Sequence, residues 1–308
     1  MEFTHQPVLL HETIESLGIR PDGVYLDATA GGGGHSRAIA EKLTTGRLLS
    51  IDQDPDAIAV LRERLKAYAC VTVCRCNFSG MRTAADENGI SAADGVMFDL
   101  GVSSYQFDNP ERGFSYQHDA PLDMRMSRQG TSAKDLVNNL SWKELAGIIS
   151  RYGEDRNAGS IAHGIVRARE KAPIETTLQL AEIVKNSVPA WVRREPGHPA
   201  RKTFQALRIQ VNGELDRLSE GLDAAFELLK PGGHLAVISF QSLEDRMVKQ
   251  RMAGWCRGCT CPPDFPVCVC GKKPRAKLLF HGGVPPTEQE ISENPRSRSA
   301  RLRACVKL

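Results

Sequence analysis

The sequence has no long hydrophobic run and no strong net charge. No stretch of about 18 apolar residues occurs in its 308 residues, and the first residues lack a basic segment followed by an apolar one. This pattern excludes a membrane-spanning helix, so we expect no membrane partner and a soluble, cytoplasmic protein. The formal net charge is only +3. The overall charge therefore does not require a polyanionic partner.

The distribution of charge is more informative than its total. Residues 241–308 contain 13 Lys and Arg but only six Asp and Glu. Such an excess is typical of a surface that faces a polyanion, although a solubilising surface explains it equally well.

Residues 24–54 contain a predicted strand, a run of four glycines, and a second predicted strand that ends in an acid. Glycines directly after a strand let the backbone turn tightly and approach a ligand before a helix begins. Asp52 ends the second strand, where it can accept hydrogen bonds from ribose hydroxyls. The segment therefore predicts a nucleotide-cofactor site.

The glycine spacing distinguishes between cofactors. The dinucleotide pattern Gly-x-Gly-x-x-Gly is absent because Ser36 or Arg37 stands where its third glycine would be. This disfavours a nicotinamide-dependent oxidoreductase. The pattern that is present, Asp27-x-Thr29-x-Gly31-x-Gly33, resembles the first motif of methyltransferases that use S-adenosylmethionine (SAM). Lys230-Pro-Gly-Gly233 and the apolar strand after it resemble a later segment of the same superfamily.

Strands and helices alternate in the first hundred residues. Such alternation predicts a parallel sheet with helices on both faces. We expect strands at about 23–28, 47–52, 71–74 and 94–99, with helices at about 34–44 and 55–67. A polar loop follows at 101–130.

The middle of the sequence predicts only helices. Ser141-Trp-Lys-Glu144 is a capping box that begins a helix ending near Gly153, and further helices are expected at about 156–170 and 177–187. Apolar residues spaced by three or four predict one long helix from about Thr203 to Leu229. We therefore expect a methyltransferase core at 1–110 and 213–308, interrupted by an all-helical insert at 111–212.

Several segments together resemble one known family, the RsmH (MraW) family of bacterial ribosomal RNA small-subunit methyltransferases H. The resemblance covers nearly the whole chain. Its motifs are His5-Gln-Pro-Val-Leu-Leu10, Phe98-Asp-Leu-Gly-Val-Ser-Ser104, Arg112-Gly-Phe-Ser-Tyr116, Pro121-Leu-Asp-Met-Arg-Met126, Lys202-Thr-Phe-Gln-Ala-Leu-Arg-Ile-Gln-Val-Asn-Gly-Glu-Leu215, Ile238-Ser-Phe-Gln-Ser-Leu-Glu-Asp-Arg246 and Asn294-Pro-Arg-Ser-Arg-Ser299.

This resemblance implies an α/β fold, a Rossmann-like SAM-dependent core with an inserted helical domain that recognises the substrate. It implies transfer of a methyl group from SAM to the exocyclic N4 of a cytidine in the decoding region of 16S rRNA. The partner would be 16S rRNA or the small ribosomal subunit. The sequence does not decide between these two substrates, or whether the protein forms a homodimer.

The resemblance also implies which residues contact the cofactor. Backbone N–H groups at the helix start would donate hydrogen bonds to the carboxylate of SAM. Asp52 would accept hydrogen bonds from its ribose, and Phe78 would stack on its adenine. For Phe78, packing in the core is the plain alternative. The full set carried over by position is Gly33, Gly34, His35, Asp52, Phe78, Asp99 and Gln106.

The catalytic group is less clearly indicated. The family commonly has Ser-Phe-His-Ser-Leu-Glu-Asp where this chain has Gln241 in place of the histidine, so a histidine base cannot act there. Candidate acceptors for an amine proton are Asp99, favoured by its position at the end of a strand, and Ser103, Ser104 and Asp123. Candidate RNA phosphate contacts, each equally a solvated surface charge, are Lys202, Arg208, Arg296 and Arg298.

Two other classes remain open. One is a methyltransferase that acts on another nucleic acid or on a protein, and the other is an RNA-binding module without catalytic activity. Carbon-5 methylation of cytosine needs a cysteine nucleophile, and the loops at about 100–126 and 239–247 contain no cysteine. The sequence therefore disfavours 5-methylcytidine, and the resemblance implies N4-methylcytidine as the product.

Five of the nine cysteines lie in the segment 255–271. Four thiolates on short turns can bind structural zinc, but the spacing lacks the long spacer of familiar zinc ribbons. A surface loop of reduced thiols is the alternative. The cysteines are Cys256, Cys259, Cys261, Cys268 and Cys270.

Overall fold

The computed structural model describes residues 7–261 and 270–308. The chain divides into two compact units, residues 1–101 with 215–308 and residues 102–214. We had placed the first boundary after residue 110. The structure places it earlier because Val102 and Phe107 pack against the hydrophobic cluster of the second unit.

The first unit contains a seven-stranded sheet in the order β3-β2-β1-β4-β5-β7-β6. The first five strands are parallel, whereas β7 is antiparallel to both β5 and β6. The predicted α/β, Rossmann-like class is confirmed, but β6 and β7 were not predicted. The strands are β1 (Val24–Asp27), β2 (Arg47–Asp52), β3 (Val71–Arg75), β4 (Ala93–Asp99), β5 (Leu229–Ser239), β6 (Ala276–Leu278) and β7 (Arg301–Lys307).

The strand order reverses between β1 and β4, which are neighbours in the sheet although β2 and β3 lie between them in sequence. In open α/β sheets, ligands bind outside the carboxyl ends of the strands at such a switch point. The loops after β1, β2 and β4 therefore form the expected ligand edge of the first unit.

The helices of the described residues are α1 (Leu10–Ser16), α2 (Gly34–Ala40), α3 (Pro55–Leu65), α4 (Met81–Glu87), α5 (Ser104–Asp108), α6 (Ala133–Asn139), α7 (Trp142–Gly153), α8 (Ala158–Arg169), α9 (Thr177–Ser187), α10 (Arg201–Asn212), α11 (Glu214–Leu228), α12 (Ser242–Cys256) and α13 (Glu288–Glu293). Five of them, α1, α4, α5, α12 and α13, lie where the sequence analysis predicts no helix. The capping box at the start of α7 is confirmed. The Ser141 side chain accepts a hydrogen bond from the Glu144 N–H, and the Glu144 side chain accepts one from the Ser141 N–H.

The long helix predicted from Thr203 to Leu229 is wrong. Gly213 adopts the left-handed conformation (φ 59°) and ends α10, and α11 begins at the next residue. The two helices also bury their apolar sides in different clusters. Phe204 and Leu207 of α10 lie in the core of the second unit, whereas Leu218 and Phe226 of α11 lie in that of the first.

Within the described part of the chain, no helix is long and apolar enough to cross a membrane.

Candidate active site

The glycine run connects β1 to α2 in a tightly constrained loop. The Gly31 N–H donates to Asp52 Oδ2 (2.8 Å) and the Gly33 N–H to the Ala30 carbonyl (2.7 Å). Gly31 and Gly33 have positive φ angles of 49° and 83°, which residues with a side chain rarely adopt. A Cβ on Gly34 would come within 2.2 Å of the Pro7 ring. This backbone conformation therefore requires glycine.

Asp52 fixes the loop from the end of β2. Its Oδ1 accepts the Asp54 N–H (2.8 Å), while Oδ2 accepts the N–H of Gly31. Burial raises the pKa of Asp52 to about 6, against the opposing effect of these N–H groups. The Gln53 N–H adds a third hydrogen bond to this carboxylate. A carboxylate has about four acceptor sites, so one remains for a further donor.

A second acid, Asp27, supports the loop from the end of β1. It is fully buried and accepts hydrogen bonds from the Ser36 hydroxyl (2.7 Å) and the Thr29 N–H (3.2 Å). The Ser36 hydroxyl also lies 2.8 Å from that of Ser50 on β2. Burial raises the pKa of Asp27 to about 6. This network ties the start of α2 to the two central strands.

Asp99 lies at the end of β4, beside the same loop. Its N–H donates to the Thr29 hydroxyl (2.5 Å), and its Oδ2 lies 3.6 Å from Nδ1 of the buried His35. Burial, with the nearby charges of Asp27 and Glu244, raises the pKa of Asp99 to about 8. Among the described residues, nothing donates a hydrogen bond to its buried Oδ1.

His35 holds one fixed position in the first turn of α2. Its Nε2 lies 3.1 Å from the Val8 carbonyl oxygen, which can only accept, so Nε2 carries a hydrogen. In the neutral ring Nδ1 is then an acceptor that faces Asp99. Nδ1 thus lies close to the Asp99 carboxyl, but at 3.6 Å it is too far away for a direct hydrogen bond.

The end of β5 presents a second buried acceptor. Gln241 Nε2 donates to Glu244 Oε1 (2.9 Å), and Glu244 Oε2 accepts the N–H of Phe240 (3.1 Å). This arrangement leaves Gln241 Oε1 buried, and it has no hydrogen-bond partner in the part of the chain that the structure describes. Asp99 pairs with Ile238 across the neighbouring strands, so the two acceptors follow adjacent strand ends.

Comparison with known proteins shows the family of this chain. Residues 2–308 match the model of the MraW methylase family. The chain belongs to this family.

Close relatives of this methylase share its full length. A protein from Symbiobacterium thermophilum, named ribosomal RNA small subunit methyltransferase H, is 55% identical over 311 residues and covers 100% of this chain and 98% of its own. A protein of the same name from Lachnospira eligens is 53% identical over 306 residues, 98% of this chain and 97% of its own. A solved rRNA methylase from Streptococcus thermophilus aligns over 100% of this chain and 99% of its own, but at 11% identity and a TM-score of 0.44, too low to support an inference about function.

Phe78 lies in the 3-10 turn directly after β3 of this methylase. Its ring packs edge-on against Phe98 (centroids 5.6 Å apart) and against α11, where a Cβ on Gly221 would come within 2.7 Å of it. The ring thus already takes part in the core, although it remains half-buried. Stacking on adenine stays a prediction.

Four of the residues predicted to contact the cofactor or to accept the amine proton lie in the second unit. The buried Gln106 forms a capping box with Ser103 at the start of α5, and its Oε1 accepts the Ser103 N–H (3.0 Å). Partial burial would raise the pKa of Asp123, but hydrogen bonds from Arg125 outweigh this effect and hold it below its usual range. Asp123 is therefore engaged in an ion pair. The side chain of Ser104 lies outside the described part.

The predicted phosphate-binding residues differ in their surroundings. Arg208 forms a two-point ion pair with Glu214 (2.8 and 2.9 Å), whereas Lys202 is exposed, with Nζ 3.4 Å from the Glu154 carbonyl. Arg296 and Arg298 are exposed on the 3-10 turn before β7. The exposed members of the set are thus Lys202, Arg296 and Arg298.

Sequence reasoning missed Glu244, which orients Gln241. A signal was available, because a Glu three residues after a helix-capping position is a capping-box pattern. Nothing in the sequence indicated that Asp99 and Gln241 would each keep an unpartnered oxygen, since that depends on tertiary contacts.

Proposed function

We propose that this methylase transfers a methyl group from SAM to the exocyclic N4 of a cytidine in the 16S rRNA of the small ribosomal subunit. The observation that carries the amine assignment is the pair of buried, unpartnered acceptors, Asp99 Oδ1 and Gln241 Oε1. The substrate class is supported by the names of the full-length relatives.

An exocyclic amine complements this pair of acceptors. The N4 group of cytosine carries two hydrogens, one for each oxygen. A buried oxygen without a hydrogen bond costs free energy, about 1–3 kcal/mol, and an amine donor would remove that cost. Because β4 and β5 are adjacent, both acceptors can hold one group at the carboxyl edge of the sheet.

The residues around the glycine loop fit SAM. Asp52 retains an acceptor site for a ribose hydroxyl, and the four loop glycines place no side chain over the backbone of this turn. Gly33, Gly34, His35 and Asp52 would hold the cofactor, which when bound supplies an electrophilic methyl group on a sulfonium.

Asp99 and Gln241 would act on the amine. Their two acceptor oxygens would fix its hydrogens and so direct its lone pair. The methylated nitrogen would have to lose one proton, and the Asp99 carboxylate, which would already accept a hydrogen bond from the amine, would be placed to take it. The base must leave its stack to reach this edge.

The substrate class is tested with SAM carrying a labelled methyl group. Small ribosomal subunits, purified 16S rRNA, DNA and ribosomal proteins are each incubated with the protein. We expect label in 16S rRNA, supplied either as RNA or in the subunit. Label confined to DNA or to protein would contradict the proposed substrate and favour the wider methyltransferase class. SAM binding without transfer to any of them would contradict the catalytic proposal.

We expect no covalent intermediate between protein and RNA. Carbon-5 methylation proceeds through a cysteine adduct, whereas neither loop at the ends of β4 and β5 contains a cysteine and Cys305 is buried in β7. RNA substituted with 5-fluorocytidine traps such adducts and should give none here, by denaturing gel electrophoresis. A stoichiometric adduct would overturn the N4 assignment.

We also expect the affinity for SAM to rise with pH up to about pH 8. The affinity for the demethylated product, S-adenosylhomocysteine (SAH), should not show this rise. The pKa of Asp99 is about 8 in the free protein. A sulfonium cation nearby favours the carboxylate, so binding of SAM would release a proton below that pH, giving up to about a tenfold gain per pH unit. SAH has no such charge. Asp52 and Asp27 also titrate, but they would affect both ligands alike.

Calorimetry with both ligands between pH 6.5 and 9 provides the measurement. In Asp99→Asn the two ligands should show the same pH dependence, because the titrating group is gone. Parallel profiles for SAM and SAH in the unsubstituted protein would place Asp99 away from the sulfonium.

A further inference from the structure

We propose that Cys259, Cys261 and Cys270 bind one zinc ion in the segment that connects α12 to β6. Their sulfur atoms all lie within 4.8 Å of one another, although Cys259 and Cys270 are eleven positions apart in the sequence. Three thiolates on one short segment are a donor set that suits Zn²⁺.

The spacing between two of the sulfurs is that of a metal site. Cys259 Sγ and Cys270 Sγ lie 3.7 Å apart. Two thiolates on a tetrahedral zinc, with Zn–S bonds of about 2.3 Å, lie about 3.8 Å apart. A disulfide would need a sulfur–sulfur distance of about 2.05 Å. The geometry therefore favours a shared ion over a covalent bond.

Backbone amides support the charged form of these sulfurs. The Thr260 N–H points to Cys270 Sγ and the Cys261 N–H to Cys259 Sγ, each at 3.4 Å. Hydrogen bonds to the ligand atoms orient metal ligands and stabilise their charge. The basic residues Arg257, Lys272 and Lys273 lie on the same segment and offset the negative charge of the thiolates.

The described residues of this segment make few apolar contacts that would stabilise its conformation. Of the described residues between 257 and 275, none is buried, and none belongs to a hydrophobic cluster. Its two ends meet, since the Arg275 N–H donates to the Trp255 carbonyl (2.8 Å). A metal cross-link supplies the cohesion that apolar burial does not.

The structure separates Cys256 from this group. Its side chain packs against the hydrophobic core of the first unit and accepts a hydrogen bond from the Leu278 backbone. The fifth cysteine of the predicted cluster, Cys268, lies outside the described residues, and the proposal rests on the other three. Cys256 thus provides a matched control.

The test is metal analysis of untagged protein purified without chelator from zinc-replete cells. We expect about one zinc per chain in the unsubstituted protein and in Cys256→Ala, and loss of that zinc in Cys259→Ala and Cys270→Ala. Less than about a tenth of an equivalent in the unsubstituted protein would overturn the proposal. So would retention of zinc in both variants, or a native disulfide between Cys259 and Cys270.

A second measurement does not depend on the folding of a variant. Cobalt added to metal-free, unsubstituted protein should give thiolate charge-transfer bands and the visible bands of a tetrahedral ion. Zinc should also slow trypsin cleavage after Arg257 and Lys272. Octahedral cobalt bands and equal cleavage rates with and without zinc would contradict the site. Neither measurement requires methyl transfer.

Discussion

Replacing Asp99 with alanine should lower the rate of methyl transfer by roughly 10²–10⁴-fold, the contribution typical of a positioned proton acceptor. The carboxyl stands at the end of β4 with an unpartnered Oδ1, and its raised pKa allows it to hold a proton near neutral pH. In the proposed mechanism, alanine removes both the acceptor for one amine hydrogen and the group that would take the released proton. At pH 6.5, where most of the Asp99 carboxyl is protonated, the affinity for SAM should change by only a few-fold, since Asp52 and the loop glycines remain.

Asp99→Asn separates the two roles of this residue. The amide keeps an acceptor oxygen but cannot take a proton at neutral pH, so we expect a loss in kcat with little change in KM for RNA. Burial disfavours the charged carboxyl, so the folded state binds more protons than the unfolded one and its stability falls as pH rises from about 4 to 8. The asparagine variant should therefore melt no lower than the unsubstituted protein at pH 8.

The matched control is Asp86→Ala, which removes an exposed carboxyl paired with Arg82 on α4. It should leave single-turnover rates unchanged. An Asp99→Ala protein that is folded, binds SAM and methylates at the normal rate would remove Asp99 from the mechanism.

Replacing Asp52 with alanine should weaken SAM binding by roughly 10–150-fold, equivalent to about 1.5–3 kcal/mol. The carboxylate would lose its hydrogen bond to a ribose hydroxyl. It would also lose those that it accepts from the N–H groups of Gly31 and Asp54, so the glycine loop would be less well fixed before SAM arrives. Both effects reduce affinity, and calorimetry measures their sum.

The control for this prediction is the neighbouring carboxyl of Asp54. It caps α3 by accepting the Asp56 N–H (3.0 Å) and donates its own N–H to Asp52. Asp54→Ala should reduce thermal stability, by about 1 kcal/mol for a lost cap, yet leave SAM affinity within about threefold. Equal losses of SAM affinity in the two variants would mean that Asp52 only fixes the glycine loop and does not bind the ribose directly.

The parts of the fold that could be predicted from sequence are those set by local signals. The glycine run, the acid at the end of β2 and the capping box of α7 each lie within a few residues of the structure they specify. The short α4 was missed because seven residues give too little periodicity to distinguish a helix from a turn.

The break at Gly213 shows a different limit. Apolar residues continue at helical spacing on both sides of it, and a glycine inside a helix costs only about 1 kcal/mol. The break is required because the apolar face of α10 packs in the core of the second unit and that of α11 in the core of the first. Such a requirement is tertiary, and the local signal, a glycine that can end a helix, does not by itself decide between a break and a continuous helix.

The candidate site was predictable to a similar degree. The family motifs placed Asp52 and Asp99 at strand ends, as the structure has them. The role proposed for Gln241 depends on Glu244, which fixes one end of its amide and leaves the other without a partner. The substitution of glutamine for the family histidine indicated a difference, and the hydrogen bonds indicate what the glutamine can do.

The most direct measurement is mass spectrometry of nucleosides from small subunits incubated with this protein and SAM carrying a deuterated methyl group. We expect the label on a single cytidine of 16S rRNA and on its exocyclic nitrogen, so that hydrolytic deamination to uridine removes it. The Asp99→Ala protein should give almost none. Label that survives deamination, and therefore lies on carbon or ribose, would contradict the account.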